Sequence, residues 1–210
     1  MGDGSRSSEM KRRAYCSGPL FCPEEVAVMS DIASVLEENG FETFLPQRDG
    51  VEAFVMNAVN SRLANSIVLS PVTRLINKAI FAVDIYQVVE RCDCLVFNMN
   101  GRVPDEGGVV EAAVAFAFGK PVVIYRSKRP DTGGSDGPML HGAFSAFPVA
   151  DEIEKIPGLL VGEMRDAEPG RIPDGGGIPP RVRKTVAFGG SVCRLLEYIQ
   201  FLKPKNKLVS

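Results

Sequence analysis

Apolar positions recur along this chain with two different periods, and the two alternate. From Pro23 to Asn39, Val28, Met29, Ile32, Val35 and Leu36 fall at i, i+1, i+4, i+7 and i+8, one stripe of a helix. Asn39-Gly40 ends it, glycine supplying the left-handed cap. Leu75, Ile76, Ala79, Ile80 and Val83 form a second stripe, which predicts a helix over Val72 to Arg91. Val109 to Phe118, closed by Gly119, and Val186 to Leu202 read as further helices, and Val51 to Asn60 as another. Between them lie short β-prone pieces: Ala14-Tyr15-Cys16, broken by Gly18-Pro19, and Phe41 to Leu45, stopped by Pro46. Cys94 to Phe97 and Pro121 to Tyr125 are unbroken apolar runs, as expected of parallel strands buried on both faces. Leu159-Leu160-Val161 reads as one more short strand.

Strand followed by helix from the start predicts an α/β fold. It is flavodoxin/Rossmann-like and doubly wound: a mostly parallel sheet of about five strands with helices on both faces. The length of 210 residues fits one domain over 14–210, preceded by a polar, disordered tail over 1–13. Residues 126–150 have no periodicity and hold Pro130, Gly133, Gly134, Gly137 and Pro138, so they read as a long loop. Residues 163–184 are rich in Gly, Pro and charge and read as a mobile insert. In such sheets ligands bind beyond the carboxyl ends of the strands. Chemistry is therefore expected in 17–22, 46–50, 98–111 and 126–141.

Composition narrows the choice of partner. Lys and Arg number 24 against 26 Asp and Glu, a net charge of −2, which gives no field for nucleic acid or an anionic membrane. No apolar run approaches the roughly 18 residues of a membrane span. The five cysteines are scattered at 16, 22, 92, 94 and 193, without zinc spacing or the density of a disulfide scaffold, so the expected compartment is the cytoplasm. His141 is the one histidine, which excludes a site of several imidazoles. The P-loop, the Gly-x-Gly-x-x-Gly turn and the Gly-x-Ser-x-Gly elbow are all missing. Neither metal nor cofactor is expected.

What remains is carboxylate chemistry. Asn98 to Glu111 follows a buried strand and leads into a helix, with Pro104 and Gly107-Gly108 shaping the turn. Asp105 lies in the loop and suits a helix cap. Capping does not account for Glu111, a lone acid between Val110 and Ala112; it either faces solvent or is held in a site. At a helix start the dipole favours its charge, as a carboxylate nucleophile requires. Asp84 interrupts an apolar helix and, on position alone, reads as a solvated residue. Tyr15 alone reads as a core tyrosine with its hydroxyl at the edge.

Four blocks in order resemble the nucleoside 2-deoxyribosyltransferase family. They are Tyr15-Cys16-Ser17-Gly18-Pro19-Leu20-Phe21; Phe44-Leu45-Pro46-Gln47-Arg48-Asp49-Gly50; Asp84; and Pro104 to Ala113 followed by Ala117-Phe118-Gly119-Lys120-Pro121-Val122. The spacing of six from Asp105 to Glu111 matches the family, and the resemblance covers about 14 to 145. It implies that Glu111 is the nucleophile attacking C1′ of a 2′-deoxynucleoside, oriented by Tyr15. Asp105 would grip the sugar hydroxyls, Asp84 would handle the proton of the base, and Phe21 would stack on the base. Gly18, Gln47, Asn98 and Gly108 would line the substrate. Met139 aligns with a segment that reaches a neighbouring subunit's site, which implies a homo-oligomer. Asn98 stands where the family often has Asp, and Ser17 where it usually has Ala, read here as a minor change. Gly137-Pro138 replaces the Asn common before Met139, and the chain after 150 is not family-like.

Three functions fit these residues. The leading one is transfer of 2-deoxyribose between nucleobases. The second is hydrolysis of a (deoxy)nucleoside 5′-monophosphate, with Arg48 or Arg102 holding the phosphate. The third is a nucleotide-sensing module without catalysis, against which the set of Tyr15, Asp84, Asp105 and Glu111 argues.

Overall fold

The computed structural model describes residues 11–53, 71–101, 105–127, 142, 146–166 and 178–202. The first strand, β1 (Arg13–Ser17), leads through a turn to α1 (Pro23–Glu38). Then come β2 (Glu42–Phe44), the single turn α2 (Pro46–Asp49), and α3 (Pro71–Tyr86). After β3 (Cys94–Asn98) follow α4 (Glu106–Ala117), β4 (Val122–Tyr125) and β5 (Val149–Ala150). The chain closes with α5 (Ile156–Asp166) and α6 (Pro180–Leu202).

The strands form one five-stranded sheet in the order β2-β1-β3-β4-β5, with every pairing parallel. That is the flavodoxin-like doubly wound order, whose switch point lies between β1 and β3. Side chains alternate across the sheet. Ala14, Cys16, Cys94 and Val96 face one layer and pack with Met29, Ile32 and Leu36 of α1 and Ile156 and Leu160 of α5. Tyr15, Leu95 and Phe97 face the other, with Val83 of α3, Ala112 and Ala115 of α4, and Cys193 of α6. This alternation decides which loop residues can meet.

The structure differs from the sequence reading in four places. Leu159-Leu160-Val161 is helical, part of α5, because Ile156 and Leu160, four apart, both bury into the α1 layer. A short apolar run does not distinguish strand from helix. The fifth strand is instead Val149–Ala150, at the end of the segment read as loop, where it pairs with Ile124 and Tyr125. The insert is bounded more tightly than 163–184: residues 163–166 end α5, 180–184 begin α6, and 167–177 lie outside the described residues. Arg13 already belongs to β1, while residues 1–10 lie outside the described set. Of the helix expected over 51–60, Val51 is a bend, residues 52 and 53 are helical, and 54–60 lie outside the described residues.

The helix expected over 72–91 changes pitch. After Tyr86 the chain widens into a π-helical turn, Gln87–Arg91, with the Cys92 amide donating to Gln87 O at 2.8 Å. Gln87, Val88 and Val89 are all buried, which an α-helical turn with one buried face would not achieve. The turn 82–85 of α3 is enclosed on all sides, Ala82, Val83, Asp84 and Ile85 being buried in succession. One cause is α6. A Cβ at Gly189 would overlap the Ala82 carbonyl and stand 2.8 Å from Tyr86 Cβ, so the two helix backbones touch there.

Gly189→Val should therefore destabilise the fold by about 3 kcal/mol, at the upper end of overpacking costs. Gly162 of α5 faces open space, and Gly162→Ala should stabilise by up to about 1 kcal/mol. Urea unfolding of the two variants checks both signs.

Candidate active site

The site is built where β1 and β3 diverge. Tyr15 and Ser17, two apart on β1, point to the same face of the sheet. The Tyr15 ring is fully buried and stacked on Phe44 of β2, centroids 5.4 Å apart at 22°. The register Tyr15↔Phe44 puts the two rings side by side. Held so, the Tyr15 hydroxyl donates to Glu111 Oε1 at 2.9 Å. The Ser17 hydroxyl donates to Glu111 Oε2 at 2.6 Å. Both oxygens of one carboxylate are thus tethered from one strand. Ser17 in place of the usual Ala is no minor change, because its hydroxyl supplies half of this grip.

α4 brings Glu111 to that position. Asp105 caps the helix, its Oδ2 accepting from the Gly108 amide at 3.0 Å. The helix starts at Glu106, earlier than the expected Val109, because Gly107 and Gly108 belong to its first turn rather than to the loop. Gly108 is required for packing: a Cβ there would overlap the Phe97 ring and come within 2.9 Å of Ser17 Oγ. Glu111 is the sixth residue of α4, beyond the first turn where the dipole acts. The expectation that the helix start keeps it ionised is therefore corrected. Burial pushes the Glu111 carboxyl up to about 7, and the hydroxyls of Ser17 and Tyr15 pull the other way.

Asp84 is not the solvated helix position its spacing suggested. It is buried at 7% exposure, because α3 is enclosed at that level. Its Oδ1 has no hydrogen-bond partner among the described residues. Burial, then the charges of Glu52 and Glu111, hold its carboxyl well above the ordinary range, against a lowering contact with the Tyr15 hydroxyl. Glu52 was not singled out from the sequence. It is half-buried just after α2, its buried Oε2 has no partner among the described residues, and burial pushes it up to about 7. The signal in the sequence was slight: an acid two residues after Gly50, in a block already marked by Phe44 to Gly50. The result is a group of acids, Glu52, Asp84 and Glu111, close enough to resist joint ionisation.

The other candidates are distributed differently. Asn98 and Gly18 face the opposite layer. The Asn98 amide donates to Met29 Sδ at 3.4 Å, and its oxygen accepts from the Asn100 side chain at 2.9 Å. Asn100 in turn accepts from Ser127 N at 2.9 Å, so Asn98 braces the loops after β3 and β4. A Cβ at Gly18 would stand 2.7 Å from Met29 Sδ. Phe21 is 75% exposed, a free aromatic face on the loop after β1. Gln47 donates to Val26 O at 3.0 Å and leaves its buried Oε1 unpartnered. Arg48 is engaged by Glu37 and Asp49, each at 2.9 Å, and so is not free to hold a phosphate. Arg102, Met139 and His141 lie outside the described residues. Among the described residues no group of three or more His, Cys, Asp or Glu could hold a metal ion. None of the described helices is long and apolar enough to cross a membrane.

The raised carboxyls set a sign for stability. The folded chain keeps a proton on Glu111 that the unfolded chain releases above about 4.5. That contribution is present at lower pH and lost as pH rises through about 7. Glu111→Gln, which carries no charge to bury, should be more stable than the parent at pH 8, by roughly 1–3 kcal/mol, with the gap closing at pH 5. Thermal melts of both proteins across that range test it.

A family model for nucleoside 2-deoxyribosyltransferase matches residues 14–162. No curated protein matches the sequence. Among solved structures, the CMP N-glycosidase of Clostridium botulinum is similar at TM-score 0.39 and 16% identity, covering 71% of this chain and 99% of that one. A conserved protein of Enterococcus faecalis V583 is similar at TM-score 0.47 and 18% identity, covering 72% and 98%. The matched region takes in all five strands and every acid of the site, and on that match the chain belongs to the nucleoside 2-deoxyribosyltransferase family.

Proposed function

We propose that this protein cleaves the N-glycosidic bond of 2′-deoxynucleosides through a covalent deoxyribosyl-Glu111 and passes the sugar to another nucleobase. The observation that carries this reading is the double tether of Glu111 by Tyr15 and Ser17, with a buried Asp84 whose Oδ1 has no partner among the described residues. A binding module would have no use for a desolvated carboxylate fixed in one rotamer. A retaining displacement at an anomeric carbon needs that group, together with a second one to protonate the leaving atom.

The roles follow from the environments. Glu111 accepts two hydroxyl donors, which favour its ionised form, whereas Asp84 has an oxygen with no donor among the described residues; on that contrast Glu111 takes the part of the anion and Asp84 that of the acid. Ionised, it attacks C1′ as the C1′–N bond breaks through an oxocarbenium-like transition state. Asp84, still protonated, passes its proton to the departing base. Asp105 offers the carboxylate oxygen not used for capping to the sugar hydroxyls. Phe21 stacks on the base, Gln47 presents its spare oxygen to it, and Gly108 admits the sugar close to the helix. Gly18 and Asn98 serve through the shape of the loops. No cofactor takes part. The exposed Phe81, Val110 and Phe116 support a homo-oligomer in which Met139 of a neighbour completes the site.

Glu111→Gln and Glu111→Ala should each lower kcat by several decades while leaving the fold intact. Asp84→Asn should slow ordinary nucleosides by roughly 10²–10⁴, and do less harm when the base leaves easily without a proton. Ribonucleosides should react at least roughly tenfold more slowly, since a 2′-hydroxyl crowds a carboxylate already bonded at both oxygens. Incubation of deoxyinosine or thymidine with and without a second free base, followed by chromatography, separates the outcomes. A new deoxynucleoside supports transfer. Free base alone, whatever is added, means that water resolves the intermediate and the protein is a hydrolase. Unchanged substrate refutes both.

A further inference from the structure

A second cavity, of about 190 Å³, lies on the α6 side of the sheet. Arg13, Phe44, Gln87, Arg91, Cys193 and Glu197 contribute to its wall, and none of Tyr15, Ser17, Asp84 and Glu111 does. Cys193 and Glu197 come from α6, outside the region matched to the family.

Its charges are positive and uncommitted. Arg13 opens β1, and alternation puts it on the same face as Tyr15. Its guanidinium lies over the Phe44 ring, 5.7 Å from the centroid, and makes no ion pair among the described residues. Gln87 and Arg91 are the first and last residues of the π-helical turn, and such turns recur at functional sites. Arg91 is exposed and likewise makes no ion pair among the described residues. Burial pushes the Cys193 thiol up, and both guanidiniums act on it in the opposite direction, so the two positive charges converge on one wall. Of the acids at the wall, Asp49 is paired with Arg48 at 2.9 Å, and Glu197 is exposed on α6.

Gln87 adds an unmet demand. It is 5% exposed; its Nε2 donates to Cys193 Sγ at 3.4 Å, and its buried Oε1 has no partner among the described residues. A buried carbonyl oxygen in that state is costly unless a donor reaches it. Two guanidiniums call for an oxyanion. An orphan acceptor and a carboxylate in the same wall call for an oxyanion that still carries a proton. The volume is below the roughly 300–1,000 Å³ of sites for drug-sized ligands, so the ligand is small. Hydrogen phosphate meets all three conditions, because it keeps a P–OH at neutral pH. Sulfate has no such proton, and a phosphate monoester, with a second pKa of about 6, has lost its own.

We propose that this cavity binds free hydrogen phosphate, held by Arg13 and Arg91, with its P–OH donating to Gln87 Oε1. The site is independent of the transferase reading. To test it, the full chain is titrated calorimetrically with potassium phosphate and potassium sulfate at neutral pH and constant ionic strength. Phosphate should bind saturably and at least roughly tenfold more tightly than sulfate, the effect of one hydrogen bond to a charged group. Arg91→Gln, at an exposed position, should weaken phosphate by roughly tenfold or more. Gln87→Leu should bring phosphate down to the affinity of sulfate; if that variant does not fold, the ratio of the two anions in the parent decides. Iodoacetamide labelling, read by peptide mass mapping, locates the site: phosphate should slow reaction at Cys193 and leave half-buried Cys22 unchanged. Equal affinity for the two anions, binding indifferent to Arg91→Gln, unchanged labelling of Cys193 at saturation, or no saturable binding each overturns the proposal. Methyl phosphate is the last arm. If it protects Cys193 better than free phosphate does, the proposal is overturned and the cavity belongs to a phosphorylated ligand.

Discussion

Everything in this site depends on holding a carboxylate in a place that disfavours it. Glu111 stands on a helix that packs against the apolar side of the sheet, and water is replaced there by the edges of Tyr15, Phe97 and Ala112. Two hydroxyls, each from β1, return part of what desolvation removes. Neither hydroxyl could be there without the pleat of the strand. Tyr15 could not hold its angle without the stacked ring of Phe44. The approach of α4 needs Gly108, because any side chain would drive the helix off Phe97. The tether is one interaction resting on three local constraints.

Gathering acids has a second effect. Carboxyls with similar environments would titrate together and share one role. Here the environments differ: Glu111 has two donors, while Glu52 and Asp84 each have an oxygen with none. Burial raises all three carboxyls, and on Glu111 two hydroxyl donors pull the other way. The cost is borne by the fold, since each group prefers to be neutral in the native state. Perturbation of this kind is concentrated in sites that do chemistry.

The architecture was legible in the sequence because period-two and period-3.6 patterns do not overlap in the strongest elements. Cys94 to Phe97 and Val122 to Tyr125 are apolar without a break, and α1 carries a clean stripe, so the parallel sheet could be read directly. The short apolar run at 159–161 carries no period of its own, and β5 is two residues long, so that edge was misread. Glu111 and Asp84 were found as acids out of place in apolar helices. Whether such an acid is buried depends on what packs on the far side of its helix. For Asp84 that is α6, more than a hundred residues away in sequence. Glu52 gave only a slight local signal and Ser17 none, because an acid in a short turn and a serine ending a strand are ordinary. Their importance is a property of distance in space. Alternation along β3 puts Asn98 on the face opposite Phe97, where its amide meets Met29.

The contact between Gly189 and Ala82 ties the buried side of α3 to the last helix of the chain. The family match ends at residue 162 and α6 begins at Pro180, so the helix lying on α3 stands outside the matched region. Ala82 is two residues from Asp84, and the widened turn at Gln87–Arg91 follows at once. Pressure on one side of α3 is therefore transmitted to an acid on the other. Side-chain volume at Gly189, on a helix far away in sequence, thus bears on how deeply Asp84 is buried without any change to the groups around its carboxyl.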